Sequence, residues 1–98
     1  MNGAAHAAIG TVKRSLAIAN KRGLHARAAA KFVRTAGQFD AAIRVSFKGQ
    51  EVSGLSIMGL MMLAAGIGSS IELSCAGRQA AEAMAALSAL VESKFGED

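Results

Sequence analysis

The chain has 98 residues, of which 52% are hydrophobic and 18% are charged. This length supports one domain with a modest core, and the hydrophobic content argues against a disordered chain. The single cysteine, Cys75, excludes an intrachain disulfide and a paired-cysteine metal site. Because Cys75 falls in a predicted strand, we expect it to be a small buried hydrophobic residue rather than a reactive thiol.

The net charge of +4 is unevenly distributed along the chain. Residues 1–39 contain seven Lys or Arg and no Asp or Glu, whereas residues 40–98 contain four Lys or Arg and seven Asp or Glu. The basic half suits an acidic protein partner, a phosphate group or a nucleic acid. The alternative is a solvated basic surface that has no partner.

Residues 1–10 are small and mostly apolar, and they lack the basic start and the long apolar run of a signal peptide. We expect residues 1–10 to be a flexible N-terminal tail and residues 11–95 to form a single domain. Apolar positions partly alternate over residues 11–19, which predicts a first strand. A basic loop then leads to a predicted helix over residues 26–36, which Gly37 ends.

The clearest strand signal covers residues 39–47, where apolar and polar residues alternate strictly near the end. Residues 48–50 are typical of a hairpin turn with glycine at its centre, and residues 51–53 of a short return strand.

Residues 52–71 carry no charge, so a membrane span is an alternative for this segment. Eight of these twenty residues are Ser or Gly, which argues against a span. A short helix from Ser56 to Leu63 or Ala64 fits better, with Ser56 as its N-cap.

Alternation over residues 71–75 predicts the last strand, and helical spacing of apolar residues predicts a long helix over residues 79–95. Residues 96–98 then read as a tail. The predicted order is β, α, β, β, short α, β, α, which indicates a mixed α+β sandwich.

The most informative position is His25, at or next to the N-cap of the first helix. Free N–H groups and a partial positive charge occur there, which favours a neutral, nucleophilic imidazole and the binding of an anion. Arg27 adds a fixed positive charge that suits phosphate. Together they describe a site that carries a phosphoryl group on nitrogen, whereas the alternative is a histidine that only caps the helix or fills the core.

Two motifs carry a resemblance to a known family. Gly23-Leu24-His25-Ala26-Arg27, followed by two alanines, and Ser56-Ile57-Met58-Gly59 resemble the two signatures of the histidine-containing phosphocarrier protein HPr family. This family serves the bacterial phosphoenolpyruvate-dependent phosphotransferase system (PTS), and the resemblance covers residues 11–92. The family usually has proline after the arginine. This chain has Ala28 instead, so we expect Arg27 to be less restrained.

The resemblance implies an α+β open-faced sandwich, in which a four-stranded antiparallel sheet is covered on one face by three helices. It implies that His25 accepts a phosphoryl group on Nδ1 from phosphorylated enzyme I, which takes it from phosphoenolpyruvate. His25 then passes the group to a histidine of a IIA domain. Arg27 neutralises phosphate charge in both transfers, and Arg34 extends the basic rim where partners dock.

Ser56 matches the serine that a dedicated ATP-dependent kinase, HPr kinase/phosphorylase, phosphorylates in many bacteria. A phosphate is well tolerated at a helix N-terminus, and its charge there would repel an acidic partner. Ile57, Met58 and Met61 match the family's exposed docking patch. This leaves Leu60 and Leu63 for the core.

The resemblance further implies a cytoplasmic protein that needs no metal and no cofactor and does not insert into a membrane. The chain would be a phosphohistidine carrier of the transferase type rather than an independent turnover enzyme. One alternative is a regulatory paralogue that signals nitrogen or carbon status mainly through protein binding. A small basic nucleic-acid-binding domain is the less favoured alternative, because the chain contains no Tyr or Trp.

Overall fold

The structure is a computed structural model that describes residues 11–97. The predicted tail over residues 1–10 lies outside the described residues, as does Asp98. In chain order the elements are β1 (Thr11–Ala17), α1 (Ala26–Ala36), β2 (Ala42–Phe47), β3 (Gln50–Ser53), α2 (Ile57–Met62), β4 (Ser70–Ala76) and α3 (Ala80–Glu92), followed by a short 3-10 turn (Lys94–Gly96).

The four strands form one antiparallel sheet in the order β1-β4-β2-β3. Leu16 of β1 lies opposite Ile71 of β4, and Val45 of β2 lies opposite Leu73. All four side chains are buried, while their neighbours along the strands are exposed or half-buried. The sheet therefore has one apolar face, as its alternating sequence requires.

The three helices cover the apolar face of the sheet, and the predicted open-faced α+β sandwich is confirmed. Helix α3 packs against β1 and β4, and α1 packs against both α2 and α3. Fully buried side chains of the helices meet those of the sheet and include Phe32, Leu60, Leu87 and Val91. Within residues 11–97, no helix is both long and apolar enough to cross a membrane.

The β2–β3 hairpin is tighter than the sequence suggested. Its turn contains two residues, Lys48 and Gly49, because Gln50 already pairs with Phe47. Both turn residues have positive φ angles, 50° and 82°. Positive φ at both central positions is the conformation that matches the right-handed twist of the flanking strands.

Two predicted boundaries are wrong by three residues each, and the first strand ends at Ala17 rather than at residue 19. Strand β2 begins at Ala42 rather than at residue 39, because a turn after α1 uses the preceding backbone groups: Phe39 N–H donates to the Ala36 carbonyl and Ala41 N–H to the Phe39 carbonyl. Helix α3 ends at Glu92 rather than at residue 95.

Beyond Glu92 the chain turns back onto the molecule. Phe95 adopts a left-handed conformation with φ 55° and is fully buried. Its carbonyl accepts a hydrogen bond of 2.7 Å from Lys31 Nζ. The expectation that residues 96–98 form a tail is therefore wrong for Glu97, whose side chain contacts His25.

Candidate functional site

His25 is the N-cap of α1, as its sequence context predicted. Its backbone is extended (φ −74°, ψ 176°), and its carbonyl accepts the first helical hydrogen bond from Ala29 N–H at 2.9 Å. The imidazole makes no capping hydrogen bond. The N–H groups of Ala26, Arg27 and Ala28 therefore lack partners within the helix, and they give this end a partial positive charge.

The loop before His25 is pinned to the segment that follows α2. Leu24 N–H donates to the Ala65 carbonyl at 3.1 Å, and the Leu24 side chain is buried. Gly23 has a φ of +65°, and a Cβ atom there would lie 2.5 Å from the Ala65 carbonyl oxygen. Only glycine satisfies both the conformation and the close approach, so the loop sets the position of His25.

The structure places a carboxylate against His25 that the sequence did not predict. Glu97 Oε2 lies 2.5 Å from His25 Nε2, and each side chain is only 14% exposed. The prediction that basic groups surround His25 therefore left out one residue of opposite charge. That residue comes from the acidic half of the chain, 72 positions away.

The second oxygen of Glu97 is held by a buried asparagine. Asn20 is fully buried, and its Nδ2 donates to Glu97 Oε1 at 3.1 Å and to the Gly23 carbonyl at 2.9 Å. This orientation leaves Asn20 Oδ1 without a hydrogen-bond partner among residues 11–97. The amide therefore serves two acceptors, one in the loop and one on the C-terminal turn.

The carboxyl group of Glu97 favours its ionised form. Desolvation raises its pKa, but hydrogen bonds from Asn20 and His25, together with the charges of His25 and Arg27, outweigh that effect. The net result is a pKa below the usual value for glutamate. A negative charge therefore faces the imidazole at neutral pH.

The two arginines of α1 lie at opposite ends of the helix. Arg27 is in the first turn and is exposed, and its charge acts on Glu97. Arg34 is in the last turn and is also exposed. Seven helical residues separate them by about 10 Å along the axis, so Arg27 belongs to the immediate site and Arg34 to the surrounding surface.

Ser56 is the N-cap of α2, and its Oγ accepts a hydrogen bond from Gly59 N–H at 2.9 Å. A Cβ atom at Gly59 would lie 3.0 Å from Ser56 Oγ and 3.0 Å from Val52 Cβ. The glycine thus leaves room for the capping hydroxyl. Ser56 itself is half-buried, so its hydroxyl has a structural partner and partial access to solvent.

The outer face of α2 and the loops around it form what we call the exposed apolar surface, which consists of Leu55, Ile57, Met58, Met61, Met62 and Ile67. The exposed fractions range from 40% for Met61 to 74% for Met62. Leu60 and Leu63 point into the core. The family resemblance indicated Ile57, Met58 and Met61 but not the other three, because an apolar run in a sequence does not show which of its sides is covered.

The site can act as a nucleophile toward a phosphorus centre. A half-buried imidazole lies at a helix N-terminus, beside one fixed positive charge and one carboxylate. The helix end and Arg27 are suited to bind a negatively charged group. Within residues 11–97, no group of three or more His, Cys, Asp and Glu side chains is arranged to hold a metal ion.

Comparison with known proteins agrees with this fold. The sequence model of the family described as "PTS HPr component phosphorylation site" matches residues 12–93. The phosphocarrier protein HPr of Cupriavidus necator is 50% identical over 86 residues, covering 88% of this chain and 97% of that protein. HPr of Neisseria meningitidis serogroup B is 52% identical over the same length and covers the same shares.

Among solved structures, HPr-C-His from Thermoanaerobacter tengcongensis superimposes with a TM-score of 0.85 at 45% identity, covering 89% of this chain and 98% of that one. The chain therefore belongs to the PTS HPr family, a class of phosphocarrier proteins. A relative with a different name, the phosphocarrier protein NPr of Shewanella violacea, is 43% identical over 86 residues, or 88% of this chain and 94% of that protein.

Proposed function

We propose that His25 accepts a phosphoryl group from phosphorylated enzyme I, ultimately from phosphoenolpyruvate, and passes it to PTS IIA domains. The observation that carries this proposal is the position of His25 at the N-cap of α1, in a family of phosphocarriers. Arg27 stabilises the phosphate charge during both transfers. The chain acts as a transferase-type intermediate, because each phosphoryl group it receives leaves again on a partner.

Partner proteins dock on the surface around His25. The exposed apolar surface, in particular Ile57, Met58 and Met61, provides flexible apolar contacts, and methionine side chains adapt to partners of different shape. Arg34 provides a positive charge at the other end of α1. A partner with an acidic surface would match this combination of apolar and basic groups. Because enzyme I and the IIA domains work in the cytoplasm, we place this protein there as well.

We further propose that HPr kinase/phosphorylase phosphorylates Ser56 and thereby regulates docking. The phosphate would add roughly 1.5 to 2 negative charges at the start of α2, next to Ile57 and Met58. The N-terminus of the helix tolerates that charge, so the fold should persist. The effect is then local, because the new charge repels an acidic partner and the phosphate would have to lose water when a partner covers the apolar surface.

The carrier function is tested by intact-mass measurement after incubation with enzyme I and phosphoenolpyruvate. We expect the wild type to gain one acid-labile phosphoryl group and His25→Ala to gain none while remaining folded. His6→Ala is the matched control, because the chain has two histidines and this substitution should leave uptake unchanged. No uptake by the wild type with an active enzyme I would refute the proposal.

The regulatory proposal is tested with HPr kinase/phosphorylase and ATP. We expect one acid-stable phosphoryl group on the wild type and none on Ser56→Ala. Ser53→Ala is a matched control, because Ser53 is a neighbouring serine whose Oγ also accepts a backbone hydrogen bond, from Leu55 N–H. Modification of Ser56→Ala, or unaltered enzyme I binding by the modified wild type, would contradict this role.

The similarity to NPr supports a second candidate, a regulatory paralogue of the same carrier chemistry. Both candidates require His25, so the first experiment does not separate them. Competition between IIA domains does separate them. Preferred transfer to a sugar-specific IIA domain would favour transport, and preferred transfer to a IIA domain that is not linked to a sugar permease would favour signalling.

A further inference from the structure

The contact between Glu97 and His25 affects the chemistry of the imidazole as well as the packing of the chain. The two side chains meet at 2.5 Å between Oε2 and Nε2 and are each 14% exposed. Glu97 sits beyond the last helix, so the chain must be turned back to place it there. Three separate contacts produce this placement.

Phe95 anchors the turn in the core, where it is fully buried. Lys31 of α1 anchors the same turn from outside through its hydrogen bond to the Phe95 carbonyl. Asn20 then fixes the carboxylate itself through Oε1, while also bonding to the Gly23 carbonyl of the loop before His25. One buried amide thus links the carboxylate to the loop that carries His25.

The hydrogen bond determines which ring nitrogen carries the proton. An ionised carboxylate only accepts hydrogen bonds, and a neutral imidazole has one N–H and one lone-pair nitrogen. Because Oε2 faces Nε2, the proton resides on Nε2 and the lone pair on Nδ1. Within residues 11–97 the structure shows no hydrogen bond to Nδ1, so its lone pair is available.

We propose that Glu97 is a positioning residue for phosphoryl transfer: it holds Nε2–H of His25 and thereby leaves Nδ1 as the nucleophilic nitrogen. This inference rests on the proposed function of His25. It adds a role for a residue outside both sequence motifs, and it assigns Asn20 the task of orienting Glu97.

The transfer step balances with this assignment. The Nδ1 lone pair of His25 forms a bond to phosphorus as the N–P bond of a phosphohistidine on the donor protein breaks. The electron pair of that bond returns to the donor nitrogen. The ring keeps its Nε2 proton and gains positive charge, which the Glu97 carboxylate stabilises. Transfer onward reverses these changes, and the carboxylate remains ionised throughout.

The test compares Glu97→Gln and Glu97→Ala with the wild type. Glu97→Gln nearly preserves side-chain volume but offers one acceptor oxygen to two donors, those of Asn20 and His25. Glu92→Gln is the matched control. Its parent residue is a glutamate of the same C-terminal segment that pairs at the surface with Arg14. Thermal unfolding of each variant reports any structural loss.

Two readouts are measured on the full chain. Nitrogen-15 NMR of the ring, at a pH where the imidazole is neutral, should show only Nε2–H in the wild type and Glu92→Gln. A population of Nδ1–H should appear in both Glu97 variants. The rate of phosphoryl uptake from enzyme I should fall about tenfold in the Glu97 variants and be unchanged in Glu92→Gln.

Wild-type rates in both Glu97 variants, faster uptake, or an unchanged tautomer would overturn the role of Glu97 and leave the proposed function standing. Loss of thermal stability that accounts for the slower rate would equally overturn it in favour of a structural role. No uptake by the wild type would overturn the proposed function and this role with it, whereas the NMR result would still report on the Glu97–His25 bond.

Discussion

The C-terminal turn should contribute strongly to stability through Phe95. This side chain is fully buried although its backbone is left-handed, with φ 55°. A non-glycine residue in that conformation costs roughly 1–2 kcal/mol, so the burial must offset it. Replacing Phe95 by alanine should lower the free energy of unfolding by about 3–5 kcal/mol, since the surrounding residues cannot fully close the cavity. The total free energy of unfolding of a chain of this size is roughly 5–15 kcal/mol.

The assay is urea unfolding of Phe95→Ala, with Phe47→Ala as the matched control. Phe47 is half-buried at the end of β2, beside Lys48, so its loss should cost about 1–2 kcal/mol. A loss of 3 kcal/mol at Phe95 would lower the melting temperature by roughly 12–24 °C. If Phe95→Ala does not fold, Phe95→Leu should still fold at a cost of about 1–2 kcal/mol.

Equal losses in the two alanine variants would refute the reasoning. They would mean that Phe95 does not pack in the core and does not anchor the turn that carries Glu97. A large loss at Phe95 with little loss at Phe47 would support the packing, and would predict that Phe95→Ala also weakens the Glu97–His25 contact.

Three further predictions follow from single positions. Lys48→Asn should stabilise the chain by about 0.5–1 kcal/mol in urea unfolding, because asparagine tolerates positive φ in a hairpin turn, and a loss would contradict this. Burial raises the pKa of the Cys75 thiol, so an alkylating reagent should label it only after unfolding; rapid labelling of the native chain would contradict this. Desolvation raises the pKa of Glu97 but its hydrogen bonds and nearby positive charges lower it more, so its carboxyl carbon should titrate in NMR below the usual range for glutamate. The contact then stabilises the fold above the usual pKa of glutamate, and this stabilisation is lost as pH falls through the lowered pKa of Glu97, whereas a midpoint at or above the usual range would contradict the geometry.

The elements that follow from local sequence were the most predictable. Helix α1 has the predicted bounds because alanine favours helix and Gly37 stops it. The β2–β3 hairpin was predictable because apolar and polar residues alternate strictly up to a turn that contains a glycine. In each case the deciding interactions lie within a few residues of one another.

The boundaries that failed were set by distant contacts. Phe39 continues the alternation of β2, but it packs beside the core in a turn after α1. Phe95 continues the apolar spacing of α3, yet the chain leaves the helix three residues earlier so that its ring reaches the core. Hydrophobic periodicity indicates that a residue is buried, but it does not indicate which backbone conformation the buried residue adopts.

The residues of the candidate site also differ in how well the sequence predicts them. His25 and Arg27 share one turn, so a short motif could indicate them. Asn20 and Glu97 had no local signal, because an asparagine in a loop and a glutamate near a chain end are ordinary surface residues. The pairing of β1 with β4 and the packing of α3 against both strands bring the C-terminal turn, and with it Glu97, close to His25.

The charge distribution of the sequence was consequently a poor guide to the charges at the site. The first 39 residues contain no acidic residue, yet the imidazole in that half faces a carboxylate. Arg27 and the helix N-terminus suit a bound phosphoryl group, whereas Glu97 suits a protonated ring nitrogen. In the proposed phosphohistidine the two sets of charges would act on different parts of one group: Arg27 and the helix end on the anionic phosphoryl group, and Glu97 on a ring that becomes positive when Nδ1 is bonded to phosphorus.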